Sequence, residues 1–457
     1  MSVIGALSGR HALASRRPIW LQVPFVAVIG AMTFNFALCF VNTNVVGGGV
    51  SAVIGCEVVI ISSVLLYAYP ILDYRQFLVV ASALLYLLAL SALRALMGEG
   101  FGVKSIRDVL IPVAFFLLGA GSGDMKTADK IVQAAVLIVV AVGLFEYFFT
   151  DTFTRFFNIA GFYVERGAMD TSQAQQSSNL FVSGMRPEGF NGGRNLLPFL
   201  GNHRVSSIFL EPVSAGNFGI IVFMWALVRS LMERRIFWGL FASGLLIIVV
   251  SDSRFGAFFC GICLLLALLP ASIRIVLVAV LPVCGLLAVV VLPDAMSEQY
   301  RISAGLMGRV DLAGRILDRF DALNWFGLTP PEFVTSDSGY AYALAGLGII
   351  GLIIFWALLM STRGSSSRFY LFRDLAGAYF AVLLCISNSP FTIKTGALLW
   401  FLVGVLSRAS DAGSRLGSRR SGSRHAPHAR VTGRKSRRPR SVDGGTETTA
   451  LVPPQSR

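Results

Sequence analysis

Three short stretches of this apolar 457-residue chain set polar groups at the starts of apolar runs. Asn202 to Gly219 reads NHRVSSIFLEPVSAGNFG and sets His203, Arg204 and Glu211 directly before an apolar run. Ser251 to Gly256 reads SDSRFG, and Ser336 to Tyr340 reads SDSGY, each again at the doorstep of an apolar run. A guanidinium is a permanent cation whose planar fork matches phosphate oxygens. Arg254 opens a helix whose N-terminus already has positive character. A cation is poorly placed there for stability, while an anion would be held by both. A carboxylate such as Glu211 or Asp337 can take a proton from a hydroxyl, best when apolar surroundings raise its pKa. Capping alone would explain either acid, and Pro212 suits a first helical turn. Together the three stretches describe an anion site with a base beside it.

The elements that must position these groups are membrane helices. The chain is 55% hydrophobic and 14% charged, and its mean hydropathy is +0.69. A soluble protein of this length needs more charge to cover its surface. Apolar runs near the roughly 20 residues that span a bilayer predict an all-α, polytopic membrane protein with about 12 transmembrane helices. The spans are expected near 20–40, 50–69, 77–96, 106–121, 129–149, 212–231, 236–250, 255–269, 273–292, 341–360, 371–387 and 393–406. His11, Arg16 and Arg17 precede the first, which is expected to be retained as a helix.

Basic residues set the sides. The N-terminal segment, Arg75, Lys126, Lys130, Arg234, Arg235, Arg274, Arg363 and Arg368 share one face, which places both termini in the cytoplasm. Lys104, Arg107 and Lys394 break the pattern. Residues 1–406 form the membrane domain, with long external loops near 150–211 and 293–340. The formal net charge of +14 lies largely in the tail, where 12 Lys and Arg stand against 3 Asp and Glu from Arg408 onward. Residues 407–457 are rich in Ser, Gly, Pro and Arg and predict a disordered cytoplasmic tail beside anionic lipid, with no nucleic-acid partner. External arginines do not help insertion, so Arg186, Arg301, Arg309 and Arg315 join His203 and Tyr340 as candidates for binding an anionic substrate.

Other motifs carry less. Gly346 to Gly351 matches GxGxxG, but no strand precedes it and no acid follows at the required distance. Its glycines let helices approach closely. Cys260 and Cys263 have CxxC spacing inside an apolar helix and no second pair, so they read as small packing residues. Of four histidines only His203 lies outside the tails, and it has no partner at ligand spacing. No metal site and no cofactor are expected.

At these residues the chain resembles the O-antigen polymerase and ligase superfamily, the Wzy-like polymerases of bacterial surface polysaccharides. Three features carry the resemblance: an external Arg shortly before SSIFLEPVSAGNF, an SR pair opening a later span, and SGYAYALAGLGIIG after the second long loop. It covers about Ser105–Leu406 and is similar in layout to exopolysaccharide polymerases. It implies metal-independent, inverting transfer of a growing glycan from a polyprenyl-pyrophosphate carrier on the external face of the bacterial inner membrane. The acceptor is the next lipid-linked repeat unit in a polymerase and a lipid core in a ligase. Arg204 and Arg254 would then hold the pyrophosphate, and Glu211 or Asp337 would accept the acceptor proton. Ligases of the superfamily place a histidine where Asp337, Ser338 and Tyr340 stand here, which favours the polymerase. The implied partners are lipid-linked oligosaccharide repeat units, membrane lipid, and a chain-length regulator and flippase of the same pathway. A lipid-linked oligosaccharide flippase is the alternative outside the enzymes.

Overall fold

In hydrocarbon every backbone polar group must be satisfied within the chain, and runs of this apolarity meet that demand as helices. The computed structural model describes residues 22–408 except 73, 123, 176–177, 182–183, 185–199, 201–202, 296–305, 332–334, 336–337 and 365. No strand occurs among the described residues. The first five helices are α1 (Val23–Asn44), α2 (Val50–Ala68), α3 (Tyr74–Leu96), α4 (Val103–Ser122) and α5 (Met125–Phe148). Short helices α6 (Thr150–Phe156), α7 (Ile159–Glu165) and α8 (Thr171–Gln175) occupy the first long connection. Then come α9 (Pro212–Glu233), α10 (Trp238–Val250), α11 (Arg254–Leu268) and α12 (Ala271–Ala295). The second connection holds α13 (Leu306–Asp318) and α14 (Ala322–Trp325), before α15 (Gly339–Ser361), α16 (Ser367–Leu383) and α17 (Ile393–Arg408). The expected disordered tail lies, from residue 409 onward, outside the described residues.

Seven of these helices are long and apolar enough to cross a membrane: Val23–Asn44, Val50–Ala68, Gln76–Leu96, Met125–Phe148, Pro212–Glu233, Ala271–Leu292 and Gly339–Ser361. Ala271–Leu292 has a hydropathy of 3.2, yet only 11% of it is buried. Its outward face suits hydrocarbon and would be an association surface in water. The chain thus has the architecture of a polytopic helical membrane protein. The remaining predicted spans form helices, but shorter or more charged ones. The α4 helix carries Lys104, Arg107 and Asp108 in its first two turns. Helices α10 and α11 have 13 and 15 residues, about 20 and 22 Å at the helical rise, against a hydrocarbon thickness of about 30 Å. The turn between them is enclosed by protein: Ser251, Asp252 and Ser253 are all buried.

Close crossings and buried ion pairs fix the bundle. A Cβ on Gly119 of α4 would lie 2.0 Å from the Phe401 carbonyl oxygen of α17, and one on Gly404 would lie 2.1 Å from that of Phe116. Only glycine permits this approach. Arg107 pairs with Glu57 of α2 at 2.9 Å and with Asp108 at 2.7 Å, and the Tyr342 hydroxyl donates to Asp108. At the other end of the bundle, Asp374 of α16 receives Arg274 and Arg373, each at 2.8 Å. Asp129 of α5 receives Arg229 of α9 at 2.6 Å and the Trp225 indole N–H at 3.0 Å. Charges at this depth persist because each has a partner.

Candidate functional site

Glu211 occupies the N-cap position of α9 in extended backbone, but its side chain does not cap the helix. It turns aside to three donors instead. The Lys394 ammonium lies 2.7 Å from Oε2, the Ser214 hydroxyl donates to Oε2 at 3.0 Å, and the Tyr163 hydroxyl donates to Oε1 at 2.6 Å. Burial pushes the Glu211 carboxyl up, but Lys394, Tyr163 and Ser214 outweigh it and hold the group below its ordinary value. Lys394 itself is buried at the start of α17 and also donates to the Phe209 carbonyl at 3.3 Å. Burial and the neighbouring Glu211 together push the Tyr163 phenol well above its usual value. The Arg166 guanidinium stacks over the Tyr163 ring at 5.4 Å and over Phe162 at 5.2 Å. The expectation of a raised carboxyl at Glu211 is thus corrected, because apolar surroundings are overridden by a cation in direct contact.

The segment leading into α9 is pinned from below. Glu146, fully buried near the end of α5, accepts the backbone N–H of Ser206 at 3.0 Å and that of Ser207 at 2.6 Å. The Ser207 hydroxyl donates to the Val139 carbonyl at 2.7 Å. With its backbone so held, the chain passes through a left-handed conformation at Leu210, φ 62°. That conformation costs a bulky L-residue about 1–2 kcal/mol. Such strain persists only where surrounding structure over-determines it. Glu146→Gln keeps the shape but places an amide against two backbone N–H groups. It should lower stability by about 1–3 kcal/mol, read as a fall in the thermal unfolding midpoint in detergent.

Arg204 and Arg254 meet at the buried turn between α10 and α11. The Arg204 guanidinium donates to the Ser251 carbonyl at 3.0 Å and to the Asp252 carbonyl at 3.3 Å. Ser253 caps α11 by accepting the Gly256 N–H at 3.1 Å, which leaves Arg254 as the first helical residue. Arg254 is half-buried, with no hydrogen bond or ion pair among the described residues. The turn packs on α9 at Gly216, where a Cβ would stand 2.3 Å from the Ser253 hydroxyl oxygen. Gly216 is five residues beyond Glu211, about 7 Å along α9. Hence α9, α11, α17, the 203–211 segment and α7 bring two arginines, a lysine, a carboxylate and a phenol to one end of the bundle.

The other candidates lie apart. The Tyr340 hydroxyl donates to the Ala381 carbonyl at 3.0 Å, and the side chain is fully buried against α16, a packing position. Arg315 is exposed and paired with Asp311 of its own helix at 2.9 Å, while Arg309 is half-buried on the same helix, α13. The His203 ring lies tilted against Tyr147, 6.1 Å between centroids. Arg186, Arg301 and Asp337 lie outside the described residues. Lys394, Tyr163 and Ser214 enter the site without having been expected there. Only Lys394 carried a signal: a cation opening an apolar run on the wrong side of the charge pattern. A cavity of about 320 Å³ opens at the same end between α4 and α15, lined by Lys104, Asp108, Tyr342 and Phe391 among others. The chain matches no family model, no curated protein and no solved structure.

Proposed function

We propose that this protein is a polysaccharide polymerase, a membrane glycosyltransferase that moves a growing glycan from a polyprenyl-pyrophosphate carrier to the next lipid-linked repeat unit. In this reading the twelve apolar helices α1–α5, α9–α12 and α15–α17 are the spans of a bacterial inner-membrane protein. Both termini are cytoplasmic, and the end bearing Glu211 faces outside. The observation that carries the proposal is the convergence of Arg204, Arg254 and Lys394 with an ionised Glu211 at one recessed end of an apolar bundle. Arg254, with its fork uncommitted, takes the oxygens of the leaving pyrophosphate, and the α11 N-terminus adds its dipole. A carboxylate offers about four acceptor sites. Tyr163, Ser214 and Lys394 occupy three at Glu211, which leaves one on Oε1 for an acceptor hydroxyl. The cavity lined by Tyr342 and Phe391 at the same end of the bundle suits a saccharide.

Purified protein in proteoliposomes, supplied with lipid-linked repeat units alone, should convert them to a ladder of longer lipid-linked glycans. A flippase would carry the same lipid across the bilayer without lengthening it. A ligase would act only once a lipid core acceptor was added. Either result, with no ladder, would overturn the polymerase reading.

A further inference from the structure

At the end of the bundle opposite Glu211, a cavity of about 520 Å³ opens between α3, α4, α15 and α17. Its walls are mostly hydrocarbon and aromatic, with Val79, Ala83, Phe116, Leu358 and Trp400 among them, and the Tyr86 hydroxyl on the wall is spent on the Leu347 carbonyl at 2.7 Å. The lining follows α15 from Leu347 to Ser361, about 20 Å at the helical rise. Charge appears only at the mouth, where Arg363 follows α15 and Arg408 closes α17. No Asp or Glu is among the lining residues. Both arginines are exposed, and neither makes a hydrogen bond or ion pair among the described residues. Attraction to the negative C-terminus of α17 explains Arg408 alone. It does not explain a second unmatched arginine over the same long apolar slot.

We propose that this cavity binds one acyl chain of an anionic glycerophospholipid, with its phosphate held between Arg363 and Arg408. The shape fits the chemistry. A chain about 20 Å long needs walls whose few polar groups are already satisfied, and a headgroup phosphate needs forked cations at the rim. Paired basic residues at the mouth of an interhelical pocket are suited to acidic headgroups. The site is separate from that of the carrier pyrophosphate, because α17 sets Lys394 at one end and Arg408 at the other, about 21 Å apart. A lipid reaching Arg363 and Arg408 with its phosphate therefore enters from the leaflet opposite the candidate glycosyl-transfer site. The proposal stands whether or not that site makes polymer.

The test is native mass spectrometry of full-length, delipidated protein offered equimolar phosphatidylglycerol and phosphatidylcholine with identical chains. Wild type should retain one phosphatidylglycerol in clear preference. Arg363→Gln combined with Arg408→Gln should cut that retention at least about tenfold, as expected for lost charge-assisted contacts, with an unchanged unfolding midpoint. Val113→Trp, which fills the slot, should remove retention with both arginines intact. The basic tail is common to all three proteins, so its attraction for acidic lipid cancels. Equal retention of the two lipids by wild type, or full retention by the double arginine variant, would overturn the proposal. So would polyprenyl phosphate displacing phosphatidylglycerol at equal concentration.

Discussion

Arg254→Ala should reduce polymer synthesis roughly 100- to 1,000-fold while leaving the protein as stable as wild type or slightly more so. The two halves have different causes. Removing one charge-assisted donor from developing negative charge in a recessed site costs about 2.7–4 kcal/mol of transition-state stabilisation. Yet Arg254 holds nothing in the fold among the described residues, and it stands as the first residue of α11. A cation there opposes the helix dipole by about 0.3–1 kcal/mol, so its loss relieves the fold. Arg254→Lys should fall between, since the ammonium keeps the charge and loses the planar fork. Arg204→Ala makes the contrast. That side chain donates to the carbonyls of Ser251 and Asp252, so its loss should lower activity and stability together. The measurements are ladder length at matched membrane abundance and the thermal midpoint of purified protein. A wild-type ladder from Arg254→Ala would remove the anion site, and a large drop in midpoint would make Arg254 a structural residue.

The parts of this molecule that can be read along the chain are those set by local composition. Apolar runs locate the helices because lipid leaves the backbone few alternatives. Pro212 locates the start of α9, and SDSR locates the start of α11, where Ser253 provides the cap. Hydropathy cannot tell a full span from α10 or α11, since a helix of 13 residues is as apolar as one of 22. Nor does it show that the turn beside Arg254 is buried by packing on α9 at Gly216. Partnerships across the chain are also invisible. Glu211 looks like a cap because it precedes Pro212, but its true partner lies in α17, and Tyr163 comes from a short helix in a loop. Lys394 was visible only as a misfit in the charge pattern. A buried lysine opening an apolar helix is costly unless paired, so the misfit itself pointed to a carboxylate.

Lys394→Ala should be the most damaging single change at this end of the bundle, and a paired variant shows why. Without the ammonium, the Glu211 carboxylate keeps Tyr163 and Ser214 but loses the cation 2.7 Å from Oε2. Breaking a buried pair from one side costs about 3–5 kcal/mol. The lower end is expected, because the Glu211 side chain retains 25% exposure. Polymer should disappear as well, which alone would not distinguish a collapsed site from a lost function. Glu211→Gln together with Lys394→Met removes both charges at similar volume, so most of the lost stability should return. If the pair acts on substrate, this restored protein should still make no ladder. If the pair only braces α9 against α17, the ladder should return with the stability, and the proposed role of Glu211 would be gone. Proton linkage supplies an independent reading. The Glu211 carboxyl is held below its ordinary value, so its stabilising contribution is complete above the unfolded value of about 4.3 and drains as pH falls through the folded one. Wild-type activity should therefore show no acid limb from Glu211 near neutrality. A fall in the wild-type thermal midpoint between pH 7 and 6 that vanished in Glu211→Gln would mean the carboxyl titrates high, against the lysine contact that defines this site.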